Sequence, residues 1–449
     1  MRALIISQYL PPLKFIATVR ITEVSNQFAR NDFEVIGFST NNHRYYPTDK
    51  FNLDERVRII RSDSWDFLIL RLKFKRFFSS MFGKRNKADQ AESQVAQNAA
   101  SGKPGLAVQM VYGLTHYLPF SLVFGDGSFI YILTTFFKAL SFANKDTVVF
   151  TSYRSYSDLI IGYLIKLFCP QVYWICDFRD PHLPPNHTNV FFRIHAWINR
   201  RMCRRADVVT TVSKGVSRNL EGYNRRILVL RNGIVGSVSG NTGDVQAPEH
   251  FNIVYTGGLY NGTRNPAAIF RVLAQLIKQG ALNTSRLRVV YAGPDKSIWD
   301  EFVRQSGLEK INESYGVLSF EESRKLQQSA SINLLLTWAD RNYKGVLTGK
   351  MYEYFKARKP IVTIINGDRD PEIEEIMKET KAGPVVYGDE NSKTLINFIQ
   401  DQYESFLNGN GTADIPEESL RAFQWDYYFP RFLEELGLKK PKQQIQHAI

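Results

Sequence analysis

Cysteine is scarce in this chain: Cys169, Cys176 and Cys203 are the only three among 449 residues. An odd number without C-x-x-C spacing points to neither a disulfide framework nor a zinc site, so a reducing, cytoplasmic setting is expected. Long apolar runs are also missing. The most apolar stretch, residues 120–142, is broken by Gly125, Asp126, Gly127 and Lys138, and it falls short of the roughly 20 uninterrupted residues a spanning helix needs. The opening MRALIISQYLPP holds one arginine and five apolar residues before Gln8. That is too brief for a signal-peptide core and reads as a first strand entering a loop. The first loop, SQYLPPLKFIATVR, lacks G-x-G-x-x-G, which argues against a dinucleotide cofactor. No repeat with a period of about 20–50 residues is visible.

What is present is an ordinary folded composition with an excess of positive charge. Apolar residues make up 44% and charged residues 22%, with a formal net charge of +13 and a pI near 9.4. The charge points toward polyanions: nucleic acid, an anionic membrane surface or phosphorylated substrates. The length exceeds what one hydrophobic core organises, so two domains are expected. Short apolar runs alternate with helical patterns: RALIIS, a helix from about Val19 to Arg30, FEVIGFST, DTVVFTS and VYWICDF. A second series runs through FNIVYTGG, LRVVYAG, SINLLLT and KPIVTII. Such alternation implies two α/β units in tandem, each with a parallel sheet covered on both faces. Between them RNGIVGSVSGNTGDVQAPEH has linker composition, which places the boundary near 235–250.

Residues 65–87, WDFLILRLKFKRFFSSMFGKRNK, read as a basic amphipathic segment. On a helix Phe67, Leu70, Phe74, Phe77, Phe78 and Met81 share one stripe flanked by Arg71, Lys73, Lys75 and Arg76. Seven basic residues and no acidic one between Arg71 and Lys87 suit an anionic lipid surface, and a helix packed on its own domain is the alternative. Residues 83–105 have almost no bulky apolar side chain and are expected to form a mobile surface loop.

The stretch KGVLTGKMYEYFKARKP, 344–360, follows a strand-like run. Gly345, Gly349 and Lys350 resemble a phosphate loop, but the spacing is one residue short and Met351 stands where Ser or Thr is required. A helix starting near Gly349 nevertheless presents free N–H groups and a positive dipole end to an anion. Lys350 adds a full charge, and Glu353 one turn along can accept hydrogen bonds from sugar hydroxyls. An ordinary helix start with Lys350 in solvent fits this stretch equally.

The ordered set VYWICDFRDPH, RRADVVTTVSKGVSRNL with RNGI, IVYTGGLYNGTRNP, VVYAGP, GVLSFEES and TGKMYEYFKARKPIV resembles the GT-B glycosyltransferases of family 4, especially bacterial enzymes of surface polysaccharide assembly. The resemblance covers roughly residues 1–400. It implies two facing Rossmann-like domains with parallel sheets and an interdomain cleft: residues 1–235 for the acceptor and 250–415 for a nucleoside-diphosphate sugar, UDP- or GDP-linked. Residues 416–449 would supply a C-terminal helix crossing back to the first domain, and a tail. In family terms Gly257 and Gly258 form the diphosphate loop, Arg264 takes the place of a basic donor ligand, Lys350 meets the diphosphate and Glu353 holds ribose or sugar. Thr348 and Gly349 complete the donor set. Two departures stand out. The first glutamate of the family's pair falls at Gly345, and the first-loop arginine is replaced by Gly258 or Leu259.

In the first domain Asp177, Arg179 and Asp180 are expected at a sheet's C-terminal edge. Asp180 is the candidate for orienting the acceptor or taking its proton; Asp177 is a candidate acceptor ligand or half of a structural Asp–Arg clamp. Arg154 in TSYRSYSD could line the acceptor pocket, and a polar N-cap series fits that loop equally. Lys14 and Arg20 could reach the cleft, or Arg20 could cap local structure, and His182 reads as structural. Asp368 and Asp370 in GDRDPE are formally D-x-D, but in a Gly-Pro turn, and no metal is expected. The expectation is a metal-independent, retaining glycosyltransferase with Asp180, Lys350 and Arg264 as catalytic candidates. It would act on a lipid-linked or saccharide acceptor at the inner face of the cytoplasmic membrane, with no nucleic-acid partner. A nucleotide-sugar epimerase of the same fold and a non-catalytic scaffold are the alternatives.

Overall fold

The computed structural model describes residues 1–41, 43, 46–64, 129–153, 156–179, 190–236, 238, 249–341, 343–388, 392–409, 411–412 and 414–439. The basic amphipathic segment and the loop that follows it lie outside the described residues. The chain divides into two compact units, Met1–Val212 with Ser217–Leu230, and Ser213–Val216 with Arg231–Ile449. The C-terminal helix, expected to cross back to the first domain, is grouped with the second unit.

The first unit is built on a seven-stranded sheet in the order β3-β2-β1-β4-β5-β6-β7. Its strands are β1 (Arg2–Ile6), β2 (Glu34–Thr40), β3 (Val57–Ser62), β4 (Thr147–Tyr153), β5 (Tyr173–Phe178), β6 (Val208–Thr211) and β7 (Ile227–Val229). Every pairing is parallel. Its helices are α1 (Ile16–Arg30), α2 (Phe129–Leu140), α3 (Tyr156–Phe168) and α4 (Val190–Cys203); α5 (Lys214–Arg218) follows β6. The runs read as strands are near-continuously apolar because each is buried on both faces. Thus Leu4, Ile5, Ile6, Val149 and Phe150 have no exposed surface. The helix expected from Val19 begins three residues earlier, at Ile16.

The second unit repeats the scheme with six parallel strands in the order β10-β9-β8-β11-β12-β13. These are β8 (Phe251–Thr256), β9 (Leu287–Ala292), β10 (Asn312–Tyr315), β11 (Ile332–Ala339), β12 (Ile361–Gly367) and β13 (Val385–Tyr387). The helices are α6 (Ala267–Lys278), α7 (Lys296–Gln305), α8 (Phe320–Gln328), α9 (Gly349–Ala357), α10 (Pro371–Thr380), α11 (Ser392–Leu407), α12 (Glu417–Leu420) and α13 (Trp425–Glu435). Local chemistry sets several starts. Ser319 and Glu322 form a capping box at α8, and Asp370 caps α10 with Pro371 at its first position. Short edge strands such as β10 and β13 carry too little apolar sequence to announce themselves.

In both sheets the strand order reverses beside the first strand, between β1 and β4 and between β8 and β11. Open parallel sheets bind ligands at the carboxyl ends of strands at such a reversal, because flanking loops diverge there and leave a crevice. Beneath the second reversal Tyr255, Tyr291 and Trp299 stack, with Tyr291 and Trp299 ring centroids 4.8 Å apart and 17° between planes. Burial pushes the hydroxyls of Tyr255 and Tyr291 up to about 12. In the unfolded chain they ionise near 10, so the folded state retains protons the unfolded state has released. This contribution to stability is complete below pH 10 and is lost as the pH rises toward 12. Urea midpoints measured from pH 9 to 12 should fall across that window, and Tyr291→Phe should flatten the fall; an unchanged slope in the variant would contradict the assignment.

Candidate functional site

The candidate site lies in the second unit, where the loop after β8 meets the first turn of α9. Gly257 has φ +145°, a conformation L side chains rarely adopt, and a Cβ there would lie 3.9 Å from Lys350 Cε. The lysine stem therefore runs beside the glycine loop although 93 residues separate them in sequence. The loop is anchored from below. Tyr255 Oη donates to Gly258 O at 2.7 Å, and Leu259 N donates to Asp295 Oδ2 at 2.6 Å. Asp295 N in turn donates to Tyr291 Oη at 2.9 Å. Asp295 occupies the N-cap position of α7 without capping it, because its carboxylate holds the neighbouring loop. Gly293 is required here as well, since a Cβ would sit 2.2 Å from Gly257 O.

Thr348 is the N-cap residue of α9, with φ −73° and ψ 151°, yet its side chain makes no capping bond. Its Oγ1 is buried with no hydrogen-bond partner. The opening of α9 thus combines a positive dipole end, no side-chain cap and an unpartnered hydroxyl. A Cβ on Gly349 would meet nothing within 4 Å, and the residue is exposed. Lys350 Nζ bonds Glu353 Oε2 at 2.7 Å, both side chains being about three-quarters covered. Arg264 lies over the Tyr260 ring, 4.3 Å from its centroid, and its Nη1 approaches Gly258 O at 3.5 Å. Gly257, Gly258, Arg264, Thr348, Gly349, Lys350 and Glu353 are therefore gathered around one loop and one helix start.

Gln327, at the end of α8, was not apparent from the sequence. Its side chain is sealed from solvent, and its Nε2 donates to Glu353 Oε2 and to Thr256 Oγ1, each at 2.9 Å. One polar residue in a polar helix gives no signal; only its burial does. Two donors converge on a single oxygen of Glu353 and fix the carboxylate's orientation. Tyr354 Oη accepts from Thr256 N at 3.2 Å, and burial raises that hydroxyl above its ordinary range.

Gly345, where the resemblance expects a glutamate, has φ +70°, and a Cβ there would lie 2.5 Å from Glu372 Oε2. That carboxylate is engaged by Lys214 N and Gly215 N at 2.9 Å each. Gly345 N donates to Asp370 Oδ2 at 2.6 Å. Asp370 also accepts from Glu372 N and Ile373 N, so this aspartate of the D-x-D sequence serves as a helix cap and loop clamp.

In the first unit, the Asp177 carboxylate is not exposed to any ligand. It has 0% accessibility and is bound by Arg20 Nε at 3.1 Å, Arg20 Nη2 at 2.7 Å, Thr210 Oγ1 at 2.8 Å and Ser152 Oγ at 3.4 Å. Arg20 also donates to Leu230 O at 2.8 Å. The pair ties α1, β5, β6 and the end of β7 together, which corrects the reading of Asp177 as an acceptor ligand. Lys14 pairs with Asp49 at the surface, at 3.5 Å. Arg154, Asp180 and His182 lie outside the described residues.

Removing one partner of the buried Arg20–Asp177 pair strands a charge, so Asp177→Ala should cost about 3–5 kcal/mol, and Arg20→Met added to it should recover part of the loss. Urea unfolding of the two variants checks this, and strictly additive losses would contradict it. In the second unit, Gln327→Leu should cost about 1–3 kcal/mol by removing the buried donor shared by Thr256 and Glu353. Lys350→Ala, at a solvent-reached pair, should cost about 1 kcal/mol or less; calorimetric melting that ranks them in the opposite order would refute the described geometry.

No family model matches the chain, and no curated protein matches it in sequence. Solved structures do match in three dimensions. A sucrose-phosphate synthase from Thermosynechococcus elongatus aligns with TM-score 0.56 at 12% identity, covering 97% of this chain and 99% of that one. The lipopolysaccharide outer core galactosyltransferase WaaB aligns with TM-score 0.51 at 13% identity, over 97% and 99%. An α,α-trehalose 6-phosphate synthase from Burkholderia multivorans aligns with TM-score 0.54 at 9% identity, over 97% and 98%. With its two parallel sheets and flanking helices, the chain has the two-domain α/β GT-B fold these glycosyltransferase structures share.

Proposed function

We propose that the protein is a glycosyltransferase that moves a sugar from a nucleoside diphosphate, UDP- or GDP-linked, to a lipid-linked or saccharide acceptor in cell-surface polysaccharide assembly. The observation that carries this reading is the convergence of Gly257, Thr348, Gly349, Lys350 and Glu353 at the strand-order reversal of the second sheet. A diphosphate suits that place. The glycine loop admits its bulk, the uncapped start of α9 supplies N–H donors and the dipole end, and Thr348 Oγ1 gains the partner it lacks.

Lys350 is paired with Glu353 before any donor arrives. A diphosphate draws the ammonium toward itself and leaves the carboxylate, still held by Gln327, to accept from ribose or sugar hydroxyls. Negative charge that builds on the leaving diphosphate as the glycosidic bond breaks then meets a preorganised cation and fixed dipoles. In our reading this takes the place of a metal ion, and the reaction retains anomeric configuration with the leaving phosphate accepting the acceptor's proton. Asp180 is assigned to positioning the acceptor. Peripheral attachment to the inner face of the cytoplasmic membrane, through residues 65–87, belongs to the same proposal.

A panel of UDP- and GDP-sugars incubated with membrane extract, with and without a chelator, tests this. Transfer that survives chelation and falls about a hundredfold or more in Lys350→Ala is the expected outcome. Donor binding without turnover would indicate a scaffold, and isomerisation of the donor sugar would indicate an epimerase.

A further inference from the structure

The first unit carries a second feature that sugar transfer does not use. Helices α2, α3 and α4 lie on one face of its sheet: Ile132 and Phe136 of α2, Leu159 and Ile165 of α3, and Met202 and Cys203 of α4 enter a single core cluster. Their outward surfaces therefore form one helical layer. That layer is unusually apolar. Phe129, Leu133 and Phe137 of α2 are 60%, 37% and 65% exposed, Phe168 of α3 is 65% exposed, and Ile194 and Trp197 of α4 are 47% and 60% exposed. The three α2 residues are spaced four apart and so line one stripe. Phe136 and Phe168, with ring centroids 5.4 Å apart, join α2 to α3 at the end of that stripe.

Among the described residues of these three helices, the exposed charge has one sign. Lys138, Arg193, Arg200 and Arg201 are exposed on these helices, and Arg204 and Arg205 follow at once. The sole acidic residue within the three helices is Asp158, which is fully buried and accepts from Tyr131 Oη and Gln8 N. Asp207, just beyond, is committed to Lys166 at 2.8 Å. An apolar surface in water carries a continuing cost, and the exposed basic residues on these helices select an anionic occupant.

We infer that this helical face seats on an anionic lipid surface, with the Phe and Trp side chains entering the headgroup boundary and the arginines meeting lipid phosphates. A second copy of the chain fits poorly, since an isologous contact would bring the basic surround against itself. Nucleic acid is less suited, because Leu133 and Ile194 among the exposed residues offer aliphatic surface that suits an acyl boundary and stacks on no base. The residues of this face are other than those of the 65–87 segment, and the inference does not rest on the reaction class.

The test is flotation of the full chain with vesicles of phosphatidylcholine alone or with 30% phosphatidylglycerol, about that proportion being enough to give a surface charge. Binding to the anionic vesicles, weakened by salt, is expected. Phe137→Glu with Trp197→Glu should weaken partitioning by at least about tenfold at unchanged melting temperature, because both side chains are exposed and residues 65–87 are intact. Arg193→Glu with Arg201→Glu, which leaves the apolar residues in place, should weaken it similarly and guards against a misfolded first variant. Equal vesicle binding by the variants would overturn the assignment to this face, as would absence of wild-type binding. Variant-sensitive binding to oligonucleotides or variant-sensitive dimerisation, without vesicle binding, would also overturn it.

Discussion

A helix in water needs partners for its first backbone amides, and α9 begins without the usual one. Thr348 stands at the cap position with an extended backbone, but its hydroxyl is buried and unpaired instead of turning onto the helix. The resulting demand for an acceptor orders what surrounds it. Gly349 is exposed with open space at its Cβ position, Lys350 runs beside Gly257, and Glu353 is held by a buried glutamine. The sheet places these groups together because β8 and β11 are neighbours at the point where strand order reverses. The loop after one strand and the helix after the other must then open onto the same space.

Carboxylates at comparable strand ends have very different fates, and packing decides which. Asp177 is saturated by arginine and hydroxyl donors and closes the first sheet's edge. Asp370 caps a helix, Asp295 supports the glycine loop and Glu372 binds two backbone amides beside Gly345. Glu353 alone among these five has a solvent-reached carboxylate with a cation beside it. The departure at Gly345 has a steric reason: its left-handed backbone and the adjacent Glu372 oxygen leave no room for a side chain.

Much of the architecture is legible in the residues. Doubly buried strands must be apolar throughout, so RALII, TVVFTSY and INLLLTWA declare themselves. Edge strands of three residues such as β7 and β13 do not, because so short a run carries too few apolar side chains to show a pattern. Gly349, Lys350 and Glu353 stood out because Gly and Lys at a strand-to-helix junction leave a composition signal of backbone access and charge, whereas Gly257, Gly258 and Arg264 were marked only by the resemblance. Gln327 and Asp295 left none, since one glutamine or aspartate looks alike whether it is solvated or enclosed. For Asp177 the sequence left ligand and structural clamp both open, because its partner Arg20 lies 157 positions away.

What the sequence determined alone is therefore the part governed by local rules: the alternation of strand and helix, the number of α/β units, and the glycines that permit left-handed backbone. Tertiary structure decided which polar groups meet. Whether a carboxylate grips a ligand or braces a loop depends on which donors the fold brings within 3 Å of it, and those donors come from chain segments that no local pattern connects.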